Sequence, residues 1–385
     1  MRLLHTSDWH LGRSLHQHDL SRAQEGFVDH LVELVRAEQI DAVLLAGDVH
    51  DRALPPVESM QLFDDALRRL RDAGAAIVAI SGNHDAPARL GDKSALLDPR
   101  ISLRTDPRRV AVPVLLEDAY GPVAVYAVPY LEPAAVRDLL PGDPALGGHT
   151  GVLTRAMAAV HDDRASRGGR SVVLAHAWVT GGQASDSERD ITVGGVANVP
   201  SALFDGVDYT ALGHLHRPQT LSDGVRYCGS PLPYSFSEGG HAKSSLVVEL
   251  GPTGLASVRS VDLPVHRALT RLRGTLADLL VSSAHTAAEQ DFVAVVLTDP
   301  VRPVDAMVAL RKRFPYTLLL EFEPLGGVVD DGLSYAARTR GRSDLEIAGS
   351  FLGHVRAAPT ARDEALLRDA LEVARAAELV DGAVG

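Results

Sequence analysis

Over the first 250 residues, short apolar runs alternate with amphipathic stretches. RLLHT (Arg2–Thr6), AVLLA (Ala42–Ala46), AIVAI (Ala76–Ile80), VAVYAV (residues 123–128) and SVVLAH (residues 171–176) are each bounded by Gly, Pro or polar residues, and predict five buried strands. Between the first two runs, Phe27, Leu31, Leu34 and Val35 recur at helical spacing. Between the second and third, Leu62, Phe63, Ala66, Leu67 and Leu70 do the same, with Gly74 where a helix would stop. Strand alternating with helix predicts an α/β domain around a buried sheet. In such sheets functional residues collect in loops past the carboxyl ends of the strands.

Near residue 263 the pattern changes. Residues 266–325 read as a small α+β unit of two or three strands with a packed helix, built from ADLLVSS, DFVAVVL, VDAMVALRKRF and YTLLLEFE. Residues 326–343 read as a polar, Gly-bearing linker. Residues 344–385 read as two helices parted near Pro359, with Leu345, Ile347, Phe351, Leu352 and Val355 on one and Leu366, Leu367, Leu371 and Val373 on the other. No repeat at a fixed period and no low-complexity tract is present.

Composition narrows the class. With 385 residues, 45% hydrophobic and 23% charged, the chain is globular, and 34 Gly, 22 Pro and a single Cys exclude collagen-like and disulfide-scaffold proteins. Cys228 has no partner cysteine, and no run of 18 apolar residues occurs, so a cytoplasmic protein without a membrane span is expected. The net charge of −12, from 38 Lys+Arg against 50 Asp+Glu, argues against a broad basic nucleic-acid surface.

Five polar clusters come after the predicted strands: Asp8-Trp9-His10, Gly47-Asp48, Gly82-Asn83-His84-Asp85, His176, and Gly213-His214-Leu215-His216. Singly each is weak. A D-x-H is common, Gly-Asp is a frequent turn, Asn-His-Asp can close a turn, and a lone buried His is usually a satisfied core residue. Together, each at the end of a strand, they predict convergence of carboxylate, imidazole and amide oxygen, a donor set suited to Mn²⁺, Fe²⁺ or Zn²⁺ rather than to Ca²⁺ or a thiolate zinc site. Alternation along an extended strand would let Asp8 and His10 grip one ion. Asp48 is then available to bridge two ions in a clamp for phosphoryl displacement, and His84 to face the substrate.

In order and content the five clusters resemble the calcineurin-like metallophosphoesterase superfamily. The stretches HTSDWHLG, ERDITVGGVANVP, DYTALGHLHRPQ and YCGSPLPYSFSE with Lys243-Ser244 resemble, within it, the SbcD family of nuclease subunits of the bacterial SbcCD complex. The resemblance is specific over residues 1–250 and rests on architecture alone beyond them. It implies two sheets flanked by helices over residues 1–265, a DNA-capping domain over 266–325, a linker over 326–343, and a helical pair over 344–385 that grips the coiled-coil base of the SbcC ATPase. It further implies two Mn²⁺ ions, one on Asp8, His10, Asp48 and His216 and the other on Asp48, Asn83, His176 and His214. His84 would be the catalytic histidine, contacting the scissile phosphate without ligating metal, and Asp51 the acidic residue that orients it. His50 departs from the family's usual aromatic and reads as a packed ring.

The implied activity is Mn²⁺-dependent DNA cleavage, 3′-to-5′ exonucleolytic on duplexes and endonucleolytic on single strands and hairpins, within DNA recombination, repair and replication. The implied assembly is a homodimer within a heterotetramer, nucleoid-associated in the cytoplasm. Arg311-Lys312-Arg313 is a candidate phosphate contact, although such a run more often forms a solvated helix face. Two rival readings stay open from the residues: an esterase for nucleotides or another small phosphodiester, and a scaffold that keeps the fold without catalysis. The first leaves the 135 residues after residue 250 unexplained. The second conflicts with the completeness of the donor set.

Overall fold

Alternation along the buried strands decides the layering. In a computed structural model that describes residues 1–92, 94–189, 191, 198–325, 342–355 and 360–381, neighbouring strand residues serve different cores. Leu3, Leu44 and Val78 enter one core and Leu4, Val43, Leu45 and Ile77 enter another. The first core lies between two six-stranded sheets. The second covers the outer face of one sheet with the helices Ser21–Glu38 and Val57–Asp72, through Phe27, Val28, Leu31, Phe63, Ala66 and Leu67. A third covers the outer face of the other sheet with the helix Gly148–Arg167, through Val152, Ala156, Met157 and Val160 against Tyr126, Val173 and Leu212. The result is the expected sandwich of two sheets flanked by helices.

One sheet runs Gly254–Asp262, Ser244–Gly251, Arg2–Thr6, Ala42–Ala46, Ala76–Ile80, Ile101–Arg104. The other runs Gln219–Ser222, Val225–Tyr227, Tyr209–Gly213, Arg170–His176, Gly121–Val128, Val114–Asp118. Arg2–Thr6, Ala42–Ala46 and Ala76–Ile80 are parallel to one another, as are Gly121–Val128, Arg170–His176 and Tyr209–Gly213. Parallel neighbours bring several carboxyl ends to one edge, the place where a site can be assembled from distant sequence.

The chain divides into two compact units, residues 1–269 and 270–385. In the second, Phe292–Leu297 pairs in parallel with Thr317–Phe322, and Leu269–Gly274 completes a three-stranded sheet. Leu272, Leu279, Val293, Val295, Leu310 and Phe314 form its core. The helices Asp344–Val355 and Ala361–Asp381 come after it, with Leu345, Phe351, Leu366 and Val373 exposed. Pro359 and residues 326–341 of the expected linker lie outside the described residues. Among the described residues no helix is long and apolar enough to cross a membrane.

Candidate metal centre

Each polar cluster begins where a buried strand stops. The strand Arg2–Thr6 ends two residues before Asp8, Ala42–Ala46 one before Gly47-Asp48, and Ala76–Ile80 just before Gly82-Asn83-His84-Asp85. From the other sheet, Arg170–His176 ends on His176, and Tyr209–Gly213 leads into His214 and His216. Asp8, His10, Asp48, His176, His214 and His216 are all buried, while Asn83 and His84 are half-buried.

The local backbone differs from the extended strand expected for Asp-x-His. Asp8 (φ 54°) and His10 (φ 46°) are left-handed, as are Asp48 (φ 48°) and His214 (φ 106°). Backbone hydrogen bonds hold this shape: the Asp8 and His10 amides donate to the carbonyls of Gly47 and Asp48 (3.0 Å each), and Leu11 donates to Val49 (2.9 Å). Asp8 and His10 therefore meet through a tertiary zipper between two loops, not through the two-residue period of a strand. Four non-glycine residues in this sparsely populated region, all at one place, mark a site where strain of about 1–3 kcal/mol each is held by the surrounding fold.

Glycines allow the loops to close up. A Cβ on Gly82 would lie 2.1 Å from Asp48 Oδ1, and one on Gly47 (φ 91°) 2.4 Å from His176 Nδ1. The Asp85 carboxylate accepts from the amides of Val49 (3.1 Å), His50 (2.9 Å) and Gly82 (2.9 Å), tying two cluster loops together.

The donor atoms converge. His10 Nε2 lies 3.0 Å from His216 Nε2 and 3.5 Å from Asp48 Oδ2. His176 Nε2 lies 3.6 Å from Asp48 Oδ2 and 2.9 Å from Asn83 Oδ1, which is 3.1 Å from His214 Nδ1. Asp8, His10 and His216 form one candidate triplet, Asp8, Asp48 and His176 another, and His10, Asp48 and His84 a third, with ligand atoms within 4.8 Å of one another. Asp48 is common to two of them, as a bridging carboxylate would be. Two donors about 2.1 Å from one ion and at right angles to each other stand about 3 Å apart, the spacing seen here.

The chemistry of the donor set supports the same reading. The Ala46 carbonyl can only accept, so its 2.9 Å contact fixes the His176 proton on Nδ1. The bare Nε2 lone pair then faces the Asn83 carboxamide oxygen. Lone pairs facing each other without a proton between them are what a cation stabilises. Burial, and then the Asp48 charge, push the Asp8 carboxyl well above its ordinary range. Burial, reinforced by neighbouring imidazoles, pushes His10 and His214 well below theirs. Neutral imidazoles beside crowded carboxylates form a metal-ready site.

His84 belongs to this cluster differently. Its amide donates to Asp48 Oδ1 (2.9 Å), its ring crosses that of His10 with 4.7 Å between centroids, and it is more exposed than the buried histidines. Its Nδ1 donates to the backbone carbonyl of Asp51 at 2.8 Å. The orienting group is thus the Asp51 main chain and not, as the sequence suggested, its carboxylate, which lies 3.8 Å from His10 Nδ1 and 3.6 Å from Arg13 Nε. His50 is a buried ring packed edge-on against Phe63. In the second unit, Arg311 is turned to the Thr317 carbonyl and Arg313 to Glu289 and the Leu279 carbonyl. Two of the three basic residues thus have internal partners.

Sequence reasoning gave no role to a second ring of residues. Ser7 Oγ donates to Asp8 Oδ2 (2.5 Å), Glu188 Oε1 accepts from the His216 amide (2.7 Å), and Ser187 Oγ meets His216 Nδ1 (2.5 Å). Behind Ser187 stands the buried pair Glu238–Lys243. Burial pushes the Glu238 carboxyl up, but its contacts with His216 and Lys243 outweigh burial and hold it well below the usual carboxylate range. The sequence neighbours of Ser187, Glu188, Glu238 and Lys243, QASDSERD and SFSEGGHAKSS, are themselves polar or Gly-rich, so no pattern singled these residues out. Most of ERDITVGGVANVP, residues 190 and 192–197, lies outside the described residues.

A family sequence model described as calcineurin-like phosphoesterase matches residues 1–218. Among solved structures, the chain is similar to a dimetal phosphatase from Danio rerio (12% identity, TM-score 0.40, covering 69% of this chain and 99% of that one). It is also similar to the calcineurin-like phosphoesterase YfkN from Bacillus subtilis (13%, TM-score 0.38, covering 68% and 90%).

Proposed function

The chain belongs to the calcineurin-like phosphoesterase family, and from that membership we propose that it is a manganese-dependent DNA nuclease of the SbcD kind. It cleaves duplex ends in the 3′-to-5′ direction and opens single strands and hairpins. It works with an SbcC-type ATPase, as a homodimer within a heterotetramer, in recombination, repair and replication at the cytoplasmic nucleoid.

Asp8, His10, Asp48 and His216 are the residues to hold one Mn²⁺, and Asp48, Asn83, His176 and His214 the other. When bound, the two ions supply Lewis acidity at phosphoryl oxygens and lower the pKa of water. The chain's own part is positional. Ala46 and Asp51 carbonyls fix the proton of His176 and of His84 on Nδ1. His84 is left with Nε2 to hold or give a proton at the departing sugar oxygen, and its half-exposed ring is reachable by a phosphodiester. Arg189, exposed and with its guanidinium 3.5 Å from the Asn83 carbonyl, supplies a cation beside the centre for an incoming phosphate.

The observation that carries the nuclease reading over a small-molecule esterase is the presence of a second compact unit, residues 270–385, beyond the phosphoesterase fold. It ends in two helices that leave Phe351, Leu366 and Val373 exposed, a surface that a partner protein can cover. The test is cleavage of end-labelled duplex DNA in Mn²⁺, with and without an SbcC-type partner. Asp48→Ala and His84→Ala are each expected to lower the rate by about 10²–10⁴-fold. Hydrolysis of a small chromogenic phosphodiester with no cleavage of DNA under any of these conditions would sink the nuclease reading and leave the esterase standing.

A further inference from the structure

Three of the cluster histidines have a ring nitrogen fixed by a partner outside the donor set, and His216 is treated unlike the other two. His176 and His84 use main-chain carbonyls. His216 Nδ1 instead meets the hydroxyl of Ser187 at 2.5 Å, and that hydroxyl lies 2.5 Å from Glu238 Oε1. A carboxylate only accepts, so the Ser187 proton points to Glu238 and the Ser187 oxygen accepts from His216 Nδ1–H. The lone pair of His216 is thereby confined to Nε2, the atom that faces His10 Nε2 at 3.0 Å.

Glu238 is ion-paired with Lys243 inside the fold. Lys243 Nζ donates to its other oxygen and also to the His216 carbonyl (3.0 Å) and Ser230 Oγ (2.9 Å), so all three ammonium protons have partners. Glu238 and Lys243 are 1% and 4% exposed, and Ser187 is 7% exposed. A buried ion pair is weak support for stability, since apolar residues of the same size often do as well. Its geometry here serves direction: Lys243 grips His216 by its carbonyl, and Glu238 grips it, through Ser187, by its ring.

We propose that Ser187, Glu238 and Lys243 form a positioning relay that sets the tautomer and aim of His216 and thereby the affinity of one of the two metal sites. The proposal rests on the two-ion reading of the centre. Its distinguishing consequence is asymmetry, because in the site of Asn83, His176 and His214 the one ring fixed from outside, His176, is held by the Ala46 carbonyl, which the relay does not touch.

The test is titration of the metal-free chain with Mn²⁺ alone, following free ion by electron paramagnetic resonance and fitting two sites. Ser187→Ala leaves the ion pair in place and removes the link, together with the 3.0 Å contact of Ser187 Oγ with Ser185 Oγ. It is expected to weaken one site by about 10–100-fold while the other stays within twofold. Lys243→Met alone strands a buried carboxylate and is expected to unfold the region, so the paired Glu238→Gln/Lys243→Met variant is the second probe, with the same one-site loss expected. Equal weakening of both sites would show a merely structural role, and unchanged affinities would show no role; either overturns the relay. Failure of the unmodified chain to bind two ions would instead overturn the two-ion centre, and the relay with it.

Discussion

His5 shows how far a single residue can be read from its neighbours. It lies three positions before Asp8 and could pass for part of the metal cluster, yet both ring nitrogens are engaged elsewhere. Nδ1 meets the Tyr209 hydroxyl at 2.8 Å and Nε2 the Leu212 carbonyl at 3.1 Å, at zero exposure. Burial pushes its pKa from 6.5 down to about 3, against a smaller upward pull from the Leu212 carbonyl. Between those values the unfolded chain binds a proton that the folded chain does not. The contribution is therefore complete above about pH 6.5 and is lost as pH falls toward 3, at up to about 1.4 kcal/mol per pH unit. His5→Gln is expected to lower stability at pH 7 while flattening the acid slope, measured by urea unfolding in chelator at pH 7, 6 and 5. Identical slopes for the two chains would refute the assignment. At this scale the identities of the cluster residues were legible, because carboxylate, imidazole and carboxamide are unusual immediately after apolar runs. The left-handed backbone of Asp8, His10 and Asp48 was not, since loop-to-loop hydrogen bonds impose it.

Among elements, legibility tracks burial. Ala42–Ala46 and Ala76–Ile80 are almost wholly buried, so their continuous apolar runs announced them. The edge strand Gly254–Asp262 leaves most of its residues partly or fully exposed and carries Ser, Arg and Asp, so its period is blurred. The helix Gly148–Arg167 begins with two glycines in four residues and buries His149 and Arg155 within its apolar face, which hid it as well. What no pattern in the chain could convey is how closely the two sheets approach. A Cβ on Gly213 would lie 1.9 Å from the Ala46 carbonyl oxygen, where contacts under 3.0 Å essentially never occur. The strand Tyr209–Gly213 and the strand Ala42–Ala46 meet there, each leading into a loop that carries candidate metal ligands. Gly213→Ala is expected to cost about 2–4 kcal/mol and several degrees of Tm, with weaker Mn²⁺ binding as the loops part. Gly26, exposed within the helix Ser21–Glu38 and with open space around it, is the comparison: Gly26→Ala should be neutral or stabilising by up to about 1 kcal/mol. Thermal melting of both variants decides it, and an unchanged Tm for Gly213→Ala would mean that the sheets can move apart freely.

For the molecule as a whole, the charge of −12 is the property that fits the proposed nuclease activity least well. The distribution of partners sharpens this. Arg68 and Arg69 pair with Asp65, Arg71 with Asp72, Arg108 with Asp106, Arg167 with Asp163, and Arg170 with Asp118. Much of the arginine content is thus matched locally by acid and offers little field to a distant phosphate chain. Between Arg267 and Glu323, seven cations face seven carboxylates. On the proposed reading, two divalent ions and Arg189 near Asn83 would be a local source of positive charge for an incoming phosphate. Each neutralised phosphate contributes about −0.9 to the slope of log affinity against log salt on duplex DNA. A chain that offers two or three such contacts should show a slope of about −2 to −3, measured by fluorescence anisotropy of a labelled duplex in Ca²⁺ from 50 to 200 mM salt. Addition of an SbcC-type partner should steepen it, because the sequence-independent grip would then come from the partner's surface. A slope of about −6 or steeper for the isolated chain would require a basic groove that the local ion pairs argue against, and would move the DNA-holding role from the partner back to this subunit.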